Sequence, residues 1–469
     1  MIKKLVNSFI SLIFVLYANN ISSEDLIPAE FFACYSNSNS MEMSPDGKYI
    51  AIVSQPRAPK CDIEPDLQKY VEDDSRGGRL TLYNTSNGQA TTLTSGKGNS
   101  SVSGVSWVSN DRIIFNTSPT NSSAKSIDAY ALWGMNIDGS KKKKLFTLKQ
   151  VQGTFASPRL TSLLPDEPNY VMVAINDRRG SVEDYYRLNI FTGAKRRVAM
   201  GPDIDNEEAL FDVVEKNDGT PLAAIGNLGD EWRIWRYYDS EDTWDVHFTS
   251  KCQTPTFFPL SGYEDKWLVS GQDITKSKTF NKDNDKSKLF LYDPDDRSFE
   301  LLYEDDTYDV GGPTGGCRTA IGGASIDEKT NELIYVAYYG EKPVRIFFDE
   351  DVQATNDMLE GAFPDQIVRP ITWNKDRSKV VVSVSSSNNP GEYYYFDKEN
   401  MILTFLWDRS PWLDRSKLSK MTAIKYTARD GLEIHGYLTI PVNSDGKNMP
   451  MIVHPHGGPN VRDTYGYDP

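Results

Sequence analysis

The chain has 469 residues, with 51 Lys and Arg against 66 Asp and Glu, so its formal charge is −15 at pH 7. That balance argues against a basic nucleic-acid-binding protein, and no nucleic-acid partner is expected. Hydrophobic residues make up 39 %, and the 33 Gly, 25 Pro, 9 Trp, 25 Tyr and 20 Phe are spread along the chain, a globular profile rather than a disordered or collagen-like one.

The first residues read as an export signal. Met1 to Lys4 is a basic start, Leu5 to Ala18 is mostly apolar and uncharged, and Asn19 to Ser23 is polar and small. A leader over residues 1–23 is predicted, with cleavage near Ser22 or Ser23, which makes the protein periplasmic or secreted. Its apolar run of about 14 residues is shorter than the roughly 20 that span a bilayer, so no permanent membrane anchor is expected. Loss of Lys3 and Lys4 with the leader would take the charge from −15 to −17.

Four cysteines suit that compartment: Cys34, Cys61, Cys252 and Cys317. Of the three possible pairings, loop closure favours the sequential one, Cys34 with Cys61 and Cys252 with Cys317, each bridge contributing about 3–4 kcal/mol if unstrained. Buried free thiols are the alternative. None has the C-x-x-C spacing of a zinc or redox site.

From about Met43 to Trp407 the chain repeats a unit of alternating strand signals and polar turns. The first copy is Ser44-Pro-Asp-Gly47 leading into Tyr49 to Val53, then Arg79 to Tyr83, the turn Asn87-Gly88, and Ala90 to Leu93. Later copies carry Arg112 to Phe115 with Tyr130 to Ile137, Leu163 to Ile175 with Tyr185 to Ile190, and Leu210 to Val214 with Trp232 to Tyr238. Three more carry Tyr263 to Ser270 with Lys288 to Tyr292, Ala324 to Tyr339 with Val344 to Phe348, and Val380 to Val384 with Tyr393 to Asp397. Seven units at a mean pitch of about 54 residues predict an all-β, seven-bladed β-propeller of four-stranded blades over residues 24–407, since a closed ring leaves the fewest strand edges exposed. A β-sandwich pair fits the regular pitch less well.

Blade packing is the simpler role for Trp107, Trp133, Trp235, Trp267 and Trp373. A solvated hairpin turn that protects a strand edge is the simpler role for Lys141 to Lys144.

Residues 408–420 (DRSPWLDRSKLSK) break the pattern and read as a linker. Beyond them come strand signals at Ala423 to Thr427 and Ile434 to Ile440, then Met449-Pro-Met-Ile-Val453, which reads as a buried strand, ending in His454-Pro-His-Gly-Gly-Pro459. Two glycines after a buried strand let the backbone turn sharply and present N–H groups to a developing oxyanion.

At this point the chain resembles the prolyl oligopeptidase family of serine peptidases, including its acylaminoacyl peptidase and dipeptidyl aminopeptidase-like members. Tyr426-Thr-Ala-Arg-Asp-Gly-Leu-Glu433, Gly436-Tyr-Leu-Thr-Ile-Pro441 and Pro455-His-Gly-Gly-Pro-Asn-Val-Arg-Asp463 carry the resemblance, supported by Phe31-Phe32 and Ser44-Pro-Asp-Gly47. It implies a propeller capping an α/β-hydrolase domain, of which residues 421–469 would be the truncated beginning, with short peptides as substrates. It also implies an oxyanion-hole region at His456, Gly457 and Gly458.

The family's nucleophile lies in a G-x-S-x-G elbow. No serine of this chain has glycine both two before and two after it, and Gly323-Ala-Ser-Ile-Asp327 fails at its last position. Four histidines are present, His247, His435, His454 and His456, and no spacing among them suggests a Ser-His-acid triad. No metal or other cofactor is expected. Glu207-Glu208, in a position to hold a peptide amino terminus by the resemblance, read more simply as a solvated loop. The sequence therefore suggests the N-terminal part of an exported serine peptidase, its propeller gating access, inactive as these 469 residues alone. The alternative is a non-catalytic periplasmic propeller that binds peptides or proteins.

Overall fold

The computed structural model describes residues 27, 29–32, 38–54, 78–96, 100–119, 130–147, 149–151, 154–179, 182–202, 208–251, 254–263, 265–277, 279, 285–311, 323–327, 330, 332–457 and 462–468. The predicted leader, all four cysteines, Glu207 and Gly458 lie outside the described residues.

Polar turns set up the blades. In Ser44-Pro-Asp-Gly47 the Asp46 carboxylate accepts from Ser44 Oγ (2.8 Å) and from the Lys48 N–H (3.1 Å), and Gly47 takes a φ of 68° that favours glycine. The same chemistry recurs where Asp376 accepts from the Ser378 N–H (3.0 Å) and Asp218 from the Thr220 N–H (2.9 Å). Each turn reverses the chain into a strand rich in β-branched and aromatic residues, which fit a pleated surface.

Seven antiparallel sheets result, each formed by consecutive strands. Blade 1 comprises Ser38–Met43, Tyr49–Ser54, Arg79–Asn84 and Ala90–Ser95, and blade 2 Ser100–Ser109, Arg112–Pro119, Ala131–Asn136 and Lys143–Thr147. Blade 3 comprises Pro158–Ser162, Tyr170–Arg179, Val182–Asn189 and Lys195–Ala199, and blade 4 Glu208–Glu215, Pro221–Leu228, Glu231–Tyr238 and Thr243–Lys251. Blade 5 comprises Phe257–Tyr263, Lys266–Gly271, Lys288–Asp293 and Ser298–Tyr303, and blade 7 Ile367–Trp373, Lys379–Ser386, Asn389–Asp397 and Ile402–Asp408. A short hairpin, Lys149–Val151 with Thr154–Ala156, sits between blades 2 and 3.

Blade 6 departs from the expected four strands. Among the described residues it has three, Gly323–Ile326, Leu333–Tyr339 and Pro343–Phe347, and the helix α2 (Glu350–Ala362) follows; α1 is the single turn Ala29–Phe32. A third strand ends on the face opposite the one where the next blade begins, so something must carry the chain back. A helix of 13 residues rises about 20 Å, the length of a six-residue strand, and does so. Asp349 caps it, accepting from the N–H groups of Asp351 and Val352 (both 3.0 Å), and Leu359 packs with Val368, Val380 and Val382 of blade 7.

Side chains between neighbouring blades form the core. Val53 and Leu80 of blade 1 meet Val105, Trp107 and Ile113 of blade 2, and Ile225 and Trp232 of blade 4 meet Phe257, Trp267 and Tyr292 of blade 5. Burying each such side chain contributes about 1.5–3 kcal/mol. Among the described residues the ring closes without strand exchange. Blade 7 meets blade 1 through an apolar cluster of Met41, Met43, Ile50, Val381 and Tyr395, while the Met43 N–H donates to Thr372 Oγ1 (3.1 Å) and the Lys375 N–H to the Pro45 carbonyl (2.9 Å).

First strands touch one another from blade 7 through blade 1 to blade 2 and from blade 4 through blade 5 to blade 6, so they surround the axis. Antiparallel order then fixes two faces. One carries the turns joining first to second and third to fourth strands. The other carries the second-to-third turns and the blade-to-blade connections.

Candidate active-site face

After blade 7 the chain crosses the molecule through Arg415–Lys417, a 3-10 turn capped by Asp414, and enters a two-stranded hairpin, Met421–Thr427 with Glu433–Thr439. Its turn needs Gly431, whose φ is 87°. The hairpin docks on the face formed by second-to-third turns. Its Tyr437 hydroxyl donates to the Glu341 carbonyl (2.7 Å), Lys425 pairs with the Glu341 carboxylate (3.7 Å), and the His435 ring stands edge-on to Tyr308, 6.0 Å between centroids.

The residues after the H-G-G motif return to the same face. The Arg462 guanidinium donates to the carbonyls of Tyr339 (3.2 Å) and Gly340 (2.9 Å) in the blade 6 turn. Tyr465 lies beside Tyr437, 6.3 Å between ring centroids, and its hydroxyl accepts from Ser387 Oγ (3.4 Å) in the blade 7 turn. The motif is thereby tethered on both sides over blades 5, 6 and 7.

Met449 to Val453 is not the buried strand the sequence suggests. It pairs with no strand among the described residues, and Met451, Ile452 and Val453 are 77 %, 92 % and 75 % exposed. A central parallel strand needs neighbours on both edges and cover on both faces, and the described residues offer neither. His456 and Gly457 follow in the open, with His456 Nδ1 donating to the Gly457 carbonyl (2.6 Å).

The other histidines are engaged elsewhere. His247 is buried between blades 4 and 5, 2.7 Å from the Tyr292 hydroxyl and against Trp267, and burial pushes its pKa down to about 4. His435 Nε2 pairs with Glu433 (3.2 Å) and His454 is exposed. Neither the His247 nor the His435 contact involves a serine. Among the described residues no group of three His, Cys, Asp or Glu could hold a metal ion.

Two features of the propeller escape the sequence reading. On the first strand of blade 3, Arg159 donates to Glu183 (2.7 and 3.1 Å) and to Glu215 (2.6 Å) at the end of the first strand of blade 4, and the Tyr185 hydroxyl also donates to Glu215 (3.2 Å). Burial opposes the charge on Arg159, but the bonds to Glu215 and Glu183 more than offset it and raise its pKa. Burial raises that of Glu215, with Arg159 opposing. These four side chains thus lock blades 3 and 4 together. The second feature is a cleft of about 250 Å³ on the hairpin side of blade 7, lined by Phe363, Gln366, Val384, Asn388, Asn389, Glu392 and Arg415. Arg415 reaches it from the linker, pairing with Glu392 and with Asp408 (2.7 Å). Partners 24 and 56 residues from Arg159 carry no local spacing signal; the turn dipeptide Asn388-Asn389 is the one visible trace of the cleft.

Of the acidic pair, Glu208 opens the first strand of blade 4.

No protein-family model matches the chain. In sequence it is 25 % identical over 325 residues to dipeptidyl aminopeptidase BIII of Pseudoxanthomonas mexicana, a match covering 66 % of this chain and 42 % of that protein. It is 22 % identical over 326 residues to dipeptidyl peptidase family member 6 of Caenorhabditis elegans, covering 64 % and 41 %. The chain thus spans about two-fifths of the length of these relatives. Among solved structures, Pyrococcus horikoshii acylaminoacyl peptidase superposes with a TM-score of 0.52 at 12 % identity, over 93 % of this chain and 63 % of that one. A prolyl endopeptidase does so with 0.51 at 12 %, over 88 % and 56 %. These sequence relatives and this shared fold bear out the resemblance to the prolyl oligopeptidase family.

Proposed function

We propose that this chain, a propeller of the prolyl oligopeptidase type, is the N-terminal part of an exported serine peptidase that cleaves short peptides. Its propeller gates access, and its last 49 residues, 421–469, begin the hydrolase domain. The observation that carries this reading is the double tether of the H-G-G segment: hairpin and return segment both dock on one face of the ring, so a hydrolase domain built on that segment would sit over the central channel. The relationship to two dipeptidyl peptidases supports a peptide substrate. His456, Gly457 and Gly458 would supply part of the oxyanion hole, with the second donor following a nucleophilic serine in the elbow these 469 residues lack.

Sequencing the gene beyond codon 469 tests the reading. An open frame running into G-x-S-x-G, with Asp and His after it, is the expected result. A stop codon at that point would instead favour a non-catalytic propeller that binds peptides or proteins.

A further inference from the structure

Charge is distributed unevenly on the face away from the hairpin, and it is the turns between third and fourth strands that carry it. Blade 2 presents Asp138-Gly-Ser-Lys-Lys-Lys-Lys144 there, running into the start of its fourth strand, and blade 3 continues it at the start of its own with Lys195, Arg196 and Arg197, of which Lys195 pairs with Asp177 (2.6 Å) and Arg197 lies 3.9 Å from Asp184. The two are one surface: a Cβ on Gly193 of blade 3 would lie 2.8 Å from the Leu145 carbonyl of blade 2, and Lys141 Nζ lies 5.7 Å from the Phe191 ring. Lys144 lies over Trp133 (5.1 Å), which holds its charge in place, while Lys143 and Arg196 are exposed. An edge-protecting turn needs one or two charges and does not explain a sector extending over two blades.

Blades 4 and 5 are the reverse. The equivalent turns read Asp239-Ser-Glu-Asp242 and Asp293-Pro-Asp-Asp-Arg297; Lys216 pairs with Asp239, and Arg236 joins the two blades by donating to Asp295 (2.6 Å), so the acidic excess rests on Glu241, Asp242, Asp293 and Asp296. Glu241 and Asp296 are exposed.

We propose that this face pairs with the same face of a second copy of the chain, basic sector on acidic sector. A two-fold axis lying in the face and running along the boundary of blades 3 and 4 exchanges blade 3 with blade 4 and blade 2 with blade 5. Each basic sector then meets an acidic one, twice in the dimer, and the contact closes on itself. A chain of net charge −15 repels its copy in most orientations, so the encounter is steered to the one in which these sectors oppose. The hairpin face stays open on both copies.

Sedimentation velocity on the full chain tests this, with a charge-swap pair: Lys143→Glu with Arg196→Glu in one protein, Glu241→Lys with Asp296→Lys in another. Wild type should dimerise in about 50 mM salt, with a Kd that rises at least about tenfold by roughly 500 mM, because exposed charges are screened. Each variant alone should be monomeric, and an equimolar mixture should dimerise again, since both sectors in the mixed pair are complementary. Should either double variant fail to fold, Lys143→Gln with Arg196→Gln should show the same loss at smaller amplitude. A wild type that stays monomeric in low salt overturns the proposal. So does association that neither salt nor the substitutions weaken, which would point to the apolar residues 449–453, and so does a monomer that binds anionic phospholipid vesicles through Lys143 and Arg196.

Discussion

The indole N–H of Trp412 donates to the Phe31 carbonyl at 3.0 Å, joining the linker after blade 7 to the helical turn before blade 1 across 381 residues. Both ends of the propeller are thereby held together in a ring that, among the described residues, has no exchanged strand to lock it. Trp412→Phe keeps the ring and removes the donor. Denaturant unfolding of the full chain should show a loss of about 1 kcal/mol.

Three cations join blades 6 and 7: Arg345 donates to the Val368 carbonyl (2.7 Å), Lys398 pairs with Asp351 (2.6 Å), and Arg377 makes two ion pairs. Arg377 bridges Asp327 and Asp349, and Asp349 is also the cap of α2. Burial favours the protonated form of Asp349, but the N–H groups it caps and Arg377 outweigh that and hold its pKa below the ordinary value. Arg377→Leu should cost about 1–2 kcal/mol, and Asp349→Ala about 1 kcal/mol with weakened protection of the α2 amides in hydrogen exchange. An unchanged exchange pattern in Asp349→Ala would refute the capping role.

His247 gives the fold a defined acid sensitivity. Its folded pKa of about 4 lies below its ordinary 6.5, so the unfolded chain binds the proton more readily between those values. Stability from this residue is complete above pH 6.5 and declines as pH falls toward 4, by up to about 3 kcal/mol. The low-pKa carboxylates Asp46, Asp305 and Asp397 act later, losing their contribution as pH falls below their ordinary range. His247→Gln keeps a partner for the Tyr292 hydroxyl and should flatten the stability profile between pH 6.5 and 4 while leaving the steeper fall below 4.

Blades 3 and 4 meet at Gly219. Its φ is 76°, and an added Cβ would lie 2.6 Å from Thr161 Oγ1 and 2.7 Å from Met172 Cβ. Gly219→Ala combines a left-handed conformation with overpacking and should destabilise by about 2–4 kcal/mol. A midpoint within experimental error of wild type would show that the two blades are not in contact there.

The ring was legible because its turns are local chemistry: Ser44-Pro-Asp-Gly47 announces a strand that Tyr49–Ser54 then forms. First strands were harder to read. Ser38–Met43 and Pro158–Ser162 are short and have few apolar residues. Helix α2 escaped notice because its buried positions are Val352, Thr355, Asn356 and Leu359, two of them polar, which blurs the apolar stripe. Met449 to Val453 has the composition of a buried strand without its setting: pairing requires neighbours, and the described residues supply none. At the candidate site the H-G-G motif was visible in sequence, whereas its docking through Tyr437, Arg462 and Tyr465 depends on turns more than 70 residues away in the chain.

Catalysis tests the account most directly. On the proposed reading the nucleophile lies outside these 469 residues, and removing a nucleophile alone typically costs on the order of 10⁶ in kcat. Purified protein of these 469 residues, offered a dipeptidyl and an acyl-peptide chromogenic substrate and a fluorophosphonate probe, should show neither turnover nor labelling. Turnover accompanied by stoichiometric labelling of a single serine would contradict the account.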